Sequence, residues 1–266
     1  MSYRKIFSIV NEQTASTVMA RYAIALAGES NTELVLYAAP DEGSPVSIRH
    51  HIDRHLDHLV TIAFEQKVQV TAITEVGKIR TLLPQRVAAE KADLVLYPLT
   101  PHARYGSNLQ QQTVQALLRD IKPDLAIMRI ISMAKPHPRH ILVPLGKMTH
   151  DKERRLRFIS ELARSFQAEV TLFHHSGDPD SKGVPDDISR FRQELQQQQI
   201  RVLERSGKGA ISKAIAVEAI TRHHDLIVLG ASERGQLRRL FAGNPAGDVM
   251  QQPPCNAILF RAATEP

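Results

Sequence analysis

The sequence predicts an α/β protein made of two tandem, doubly wound, five-stranded parallel sheets. Three observations carry that expectation. First, the chain repeats itself. Lys5-Ile-Phe-Ser-Ile-Val10 is echoed by His140-Ile-Leu-Val-Pro-Leu145 at an offset of 135, and Glu33-Leu-Val-Leu-Tyr37 by Glu169-Val-Thr-Leu-Phe173 at 136. At 132, Gly77 matches Gly209, Asp93-Leu-Val-Leu-Tyr97 matches Asp225-Leu-Ile-Val-Leu229, and Asp124-Leu-Ala-Ile-Met-Arg129 matches Asn256-Ala-Ile-Leu-Phe-Arg261. The order is kept and the offset hardly drifts, which marks two copies of one domain. Second, each copy alternates short apolar runs with amphipathic stretches, the pattern of successive βαβ units. Third, Ser132-Met-Ala-Lys-Pro-His-Pro138 separates the copies, and its prolines continue neither a helix nor a central strand. The expected domains are therefore 1–131 and 139–266, joined by a linker over 132–138.

Taken in order, the first copy has apolar runs that predict strands near 4–10, 33–38, 68–74, 93–97 and 125–130. Between them, helical periodicity predicts helices near 14–28, 47–66, 79–91 and 111–121. The second copy predicts strands at 140–145, 169–174, 200–204, 226–229 and 257–260. These runs are apolar on both faces or rich in β-branched residues, as a buried parallel sheet requires. Its helices are expected at 151–166, 186–198, 210–223 and 238–251. The first of these sets Leu156, Ile159, Leu162, Ala163 and Phe166 on one face. Asp151 and Asp186 suit the first turn of their helices. Right-handed crossovers then fix the winding, and ligands of such sheets bind beyond the strand carboxyl ends at the switch point.

Composition narrows the function classes. Hydrophobic residues make up 42% and charged residues 23%, ordinary globular usage that excludes a disordered or fibrous chain. No stretch approaches the ~20 apolar residues of a membrane helix, and the opening residues carry no signal-peptide pattern. A lone Cys255 cannot form an internal disulfide, which suits a reducing compartment, so a cytoplasmic location is expected. The net charge of +6 lies mostly in the second half: 14 Lys+Arg and 13 Asp+Glu fall in residues 1–132, 20 and 15 in the rest. Groups such as Arg154, Arg155, Arg157 and Arg234, Arg238, Arg239 are spread along the chain, and there is no Trp among them. That reads as a solvated basic face and not as a nucleic-acid surface.

The second copy resembles the universal stress protein family in its tandem two-domain form. Ile141-Leu-Val-Pro-Leu-Gly146 resembles the family's first strand, which ends in a hydrophobic-Pro-hydrophobic-Asp step. Asp225-Leu-Ile-Val-Leu-Gly230-Ala-Ser, a basic loop, Leu-Phe-Ala-Gly243 and Pro253-Pro-Cys-Asn-Ala-Ile-Leu259 resemble its closing segment. The resemblance implies a Rossmann-like fold of the adenine nucleotide alpha hydrolase type. It also implies a stress-response role with ATP or AMP bound by the second domain.

Nucleotide-binding members of the family carry Gly-x2-Gly-x9-Gly-Ser/Thr in the closing loop. Gly230 and Gly243 keep the spacing of 13. Glycines allow backbone N–H groups to approach phosphate oxygens closely. Glu233 stands where the second glycine is expected, and Gly235 follows two residues later. Asn244 replaces Ser/Thr and retains an amide donor. Arg234 can pair with phosphate. Gly146 takes the place of the family's strand-one Asp, and His175 lies at the end of the second strand. Carried over position by position, the expected nucleotide contacts are Gly230, Arg234, Gly235, Gly243, Asn244, Gly146 and His175. In the first copy Pro98, Gln111 and Asn11 stand at the corresponding places, and Pro98 and Pro101 remove backbone donors. That half is not expected to bind phosphate.

Other constellations have plainer readings. His51, His55 and His58 recur at i, i+4 and i+7, a spacing that suits a metal, but their helix is amphipathic and they read as a solvated face. His223 and His224 end a helix, where a cation suits the dipole. Cys255 reads as a small buried hydrophobe. No nucleophile elbow or phosphate-loop lysine is present, so no enzymatic activity is expected. The alternative function is a nucleotide-independent interaction scaffold, and a homo-oligomer is compatible with either.

Overall fold

The structure is a computed structural model that describes residues 2–99, 108–132, 137–146, 152–175, 186–231 and 245–263. Contacts divide the chain into two units. The first is Met1–Pro136 together with Arg261–Pro266; the second is His137–Phe260. The sequence predicts that 139–266 stays together, whereas the segment from Arg261 on packs with the first unit.

The first unit holds β1 (Lys5–Ile9), α1 (Thr14–Ser30), β2 (Glu33–Ala38), α2 (Val46–Glu65), β3 (Val70–Thr74), α3 (Ile79–Ala89), β4 (Leu94–Leu99), α4 (Asn108–Asp120) and β5 (Asp124–Arg129). The second repeats the order with β6 (His140–Leu145), α5 (Lys152–Phe166), β7 (Glu169–His175), α6 (Asp186–Gln197), β8 (Val202–Gly207), α7 (Ile211–Thr221), β9 (Leu226–Gly230), α8 (Pro245–Gln251) and β10 (Asn256–Arg261). Strand order is β3-β2-β1-β4-β5 in the first and β8-β7-β6-β9-β10 in the second. Within each unit the strand pairs are parallel. This is the expected doubly wound order, and in each unit it reverses at the first strand, between β1 and β4 and between β6 and β9. Part of the helix predicted at 238–251 falls outside the described residues.

Burial explains the composition of the strands. β2 and β5 bury nearly every side chain, as does β10, the pattern of buried parallel strands. Edge strands differ: β3 and β8 are half-buried or exposed and carry Thr71, Thr74, Glu204 and Arg205. Polar side chains there discourage further strand pairing.

The repeat is visible in the backbone itself. Among the described residues, six other than glycine have positive φ: Asn31, Lys67, Lys91, Gln167, Gln199 and His223. They form three pairs at the repeat offsets, Asn31 with Gln167, Lys67 with Gln199 and Lys91 with His223. Each follows a helix. In each pair the next residue donates its N–H back five positions, as Thr32 to the Ala27 carbonyl and Ala168 to the Ala163 carbonyl. These are left-handed C-terminal caps that satisfy carbonyls at the helix ends.

An aspartate clamps the first strand of each unit. Asp93, just before β4, accepts hydrogen bonds from the N–H groups of Arg4 and Lys5 at 3.0–3.2 Å, and its own N–H donates to the Lys5 carbonyl. Asp225, just before β9, accepts from Arg139 and His140 at 2.9 and 3.1 Å and donates to the His140 carbonyl. Each clamp sets the start of the central pair of strands. Asp124 does related work at β5, accepting from the Tyr3 hydroxyl at 2.9 Å and from the N–H of Ala263 at 2.7 Å.

His224 corrects the expectation of a cation at a helix end. It is 7% exposed, and burial pulls its pKa down to about 4, aided by the nearby His140. The first unit has Ala92 at the corresponding place, also buried. Cys255 is only half-buried and precedes β10 instead of entering it.

Three measurements test this account. Asp225→Ala removes the acceptor of two strand N–H groups and is expected to lower stability by about 2–3 kcal/mol, while Asp225→Asn, which keeps an acceptor oxygen, costs less. Denaturant unfolding of both variants checks the order. Gln199→Gly relieves the left-handed strain and is expected to raise stability by about 0.5–1 kcal/mol after the entropic cost of glycine; a lower unfolding midpoint would contradict the cap assignment. His224 stays neutral in the folded state while the unfolded chain takes up a proton below about pH 6.5. Stability is therefore full above pH 6.5 and falls as the pH drops toward about 4, by on the order of 2–3 kcal/mol. Replacing His224 with Ala should flatten that part of the stability-versus-pH curve.

Candidate functional site

Strand order and the clamps place the switch point of the second unit at the carboxyl ends of β6 and β9. Among the described residues, pairing of β6 with β9 covers Ile141 with Leu226 and Leu142 with Ile227. Pro144 then removes an N–H from the β6 backbone. Among the described residues, nothing lies within 4 Å of where a Cβ would stand on Gly146, immediately after β6. The family's aspartate is thus replaced by an open backbone position.

Gly230 ends β9, and the group that faces it is not one the motif predicts. A Cβ there would stand 2.9 Å from Nη1 and 3.0 Å from Cζ of Arg155. A side chain at 230 would therefore displace the Arg155 guanidinium from its present place. Arg155 comes from the first turns of α5. Its Nη2 donates to the Pro144 carbonyl at 2.9 Å and to the Val228 carbonyl at 3.2 Å. The guanidinium thus bridges the ends of β6 and β9.

The sequence groups Arg155 with Arg154 and Arg157 on a basic face. Arg154 is exposed, whereas Arg155 and Arg157 are both half-buried; Arg155 is set apart by its bonds to the ends of β6 and β9. A signal was available. Arg155, Ile159, Leu162 and Phe166 follow i, i+4, i+7 and i+11, so Arg155 continues the apolar stripe of α5 toward the sheet's carboxyl edge. The matching helix caps, offset by 136, place Met19 at the equivalent position of α1, where it is fully buried.

His175 is the last residue of β7 and pairs with Gly207. Its neighbour His174 pairs with Leu145 and holds a buried Nδ1 that has no hydrogen-bond partner. Arg234, Gly235, Gly243 and Asn244, and with them Glu233, lie outside the described residues. The structure therefore brings together Gly146, Gly230 and the end of β7 at one edge, and adds Arg155 and His174.

The corresponding edge of the first unit is closed by its own polar groups. Asn11 follows β1; its Oδ1 accepts from the Gln13 N–H at 2.9 Å, and its N–H donates to the Ser16 hydroxyl at 3.0 Å. His55 Nδ1 lies 2.9 Å from the Asn11 carbonyl oxygen, so His55 points inward from α2 and does not share a solvated face with His51 and His58. Pro98 sits within β4, paired with Met128. Nearby, Tyr37 donates to Glu75 at 2.7 Å and Arg86 pairs with the same carboxylate; Arg86 and the Tyr37 hydroxyl hold Glu75 below its ordinary pKa, while burial and the Glu75 carboxylate push the Tyr37 hydroxyl up. Among the described residues no group of three His, Cys, Asp or Glu side chains could hold a metal ion, and no helix is long and apolar enough to cross a membrane.

Comparison with known proteins agrees with this geometry. The sequence model of the universal stress protein family matches residues 137–261. No curated protein matches the sequence. Among solved structures, a universal stress protein from Archaeoglobus fulgidus DSM 4304 superposes with a TM-score of 0.68 at 15% identity, covering 97% of this chain and 96% of that one. A functionally unknown protein from Pseudomonas aeruginosa PAO1 gives 0.66 at 15% identity over 98% and 93%. The cytoplasmic domain of a prokaryotic cation chloride cotransporter gives 0.60 at 10% identity over 98% and 96%. At these identities the likenesses speak for the fold and not for a shared activity. The second unit thus matches the universal stress protein family by sequence, and the first unit repeats its strand order, which gives the chain the fold of two such domains in tandem.

Proposed function

We propose that the chain is a cytoplasmic stress-response protein whose second unit binds an adenine nucleotide, ATP or AMP, without catalytic turnover. The observation that carries this reading is the contrast between the two switch points. In the first unit, Asn11, Ser16 and His55 bond to one another across the edge, and Pro98 takes the place of a glycine. In the second, Gly146 leaves the end of β6 open, and Gly230 keeps its spacing to Gly243. A nucleotide there would lie beyond the strand ends, with its phosphates toward Gly230, Arg234, Gly235, Gly243 and Asn244.

A second reading, a ligand-independent scaffold of the same fold, draws on Glu233, which puts a carboxylate into the phosphate loop. It draws also on α7, where Val217 and Ile220 are 61% and 62% exposed. Calorimetric titration of the full chain with ATP and AMP separates the readings.

Glu233→Gly is expected to tighten nucleotide binding roughly ten- to hundredfold, because it removes a like charge about 4–6 Å from phosphate and restores close backbone approach. The gain should shrink at high salt, since part of it is screened repulsion. Absence of nucleotide binding in both proteins would leave the scaffold as the function.

A further inference from the structure

We propose that Arg155 is an oxyanion receptor, so that the switch point of the second unit takes a phosphate-bearing small molecule whose phosphate oxygens bind its guanidinium. The inference deepens the nucleotide reading and rests on it for its location, but it assigns the phosphate to a residue of α5.

The first argument is charge. Among the described residues, Arg155 makes hydrogen bonds through Nη2, both to backbone carbonyls. Its Nε is sealed from solvent with no partner. No carboxylate among the described residues pairs with it, and burial lowers its pKa to about 10, which leaves it a cation at neutral pH. A partly buried guanidinium with a sealed donor and no counter-charge among the described residues gains from an anion that completes it. Planar, forked donors match phosphate oxygens well.

The second argument is position. Phe260 pairs with Gly230 on adjacent strands and stacks on Phe158 of α5 at 4.5 Å, so Gly230 presents its α-carbon face to α5 and to Arg155. On β7, Phe173 lies on the side of Ala214 in α7, since a Cβ on Gly207 would touch both. His174 alternates with Phe173 and therefore faces the α5 side, where its Nδ1 also lacks a partner. Two sealed, unpartnered nitrogens thus sit on one face of one sheet edge, next to the open position at Gly146. The third argument is the internal control. Met19 fills the equivalent place in the first unit, so the fold does not need an arginine there.

The test uses the full-length protein, with inorganic pyrophosphate, AMP and adenosine as probes in calorimetry. The wild type is expected to bind pyrophosphate, and to bind AMP at least tenfold more tightly than adenosine. Arg155→Met, which copies the residue of the first unit, should abolish pyrophosphate binding and bring AMP down to the level of adenosine. Arg155→Lys retains the charge but not the fork and should weaken pyrophosphate several-fold; it carries the test if the Met variant does not fold. Equal binding of AMP and adenosine by the wild type overturns the proposal. So does unchanged pyrophosphate affinity in the variants, or tighter nucleotide binding in the Met variant, which would make the guanidinium a plug. Binding of pyrophosphate without AMP or adenosine would uphold Arg155 and refute the nucleotide reading. Failure of the wild type to bind any of the three refutes both.

Discussion

Each unit depends on an aspartate that holds two strands together at their amino ends. Asp93 and Asp225 take the free N–H groups that precede β1 and β6 and return an N–H to the same strand. These strands are the ones between which the winding reverses, so the bonds fix the register where a parallel sheet has no short turn to fix it. With the amino ends tied, the carboxyl ends of the same pair are free to part. The candidate site and the secured edge thus lie at the two ends of a single strand pair.

The two units use that freedom differently. In the first, Asn11 turns its side chain back onto the entry to α1, and His55 reaches across from α2. Backbone groups at the edge find partners within the unit. In the second, glycine replaces asparagine after the strand, and arginine replaces methionine in the helix that follows. The exchange removes side-chain donors and acceptors from the loop and brings a charge in from the helix. One copy thus completes its own edge, and in the other the Arg155 Nε and His174 Nδ1 find no partner among the described residues.

Much of the architecture is legible in the sequence because it is written in hydrophobic periodicity. The strands at 33–38 and 140–145 can be read to the residue, since buried parallel strands are short, apolar and bounded by polar residues. The helix caps are not legible: Lys67, Lys91 and Gln199 adopt a conformation that favours glycine, and their composition announces nothing. Asp93 and Asp225 stand out as repeat markers, but their work as clamps depends on strands about 90 residues apart in sequence. At the candidate site the glycines can be read by their spacing. Arg155 cannot be separated from its basic neighbours until its place on the α5 stripe is compared with the buried Met19. His224 misleads because residue type suggests charge, whereas burial decides it.

The segment from Arg261 onward has a consequence for the order of assembly. Arg261 donates to the carbonyls of Ile121 and Lys122, and Ala263 donates to Asp124, all residues of the first unit. On the ribosome, the first unit emerges complete in its five strands yet lacks these partners until the whole of the second unit has been made. Through that interval the Asp124 carboxylate holds Tyr3 without the N–H of Ala263, and the carbonyls of Ile121 and Lys122 lack the Arg261 guanidinium. The half made first is thus finished last, and its final consolidation reports that translation has passed residue 263.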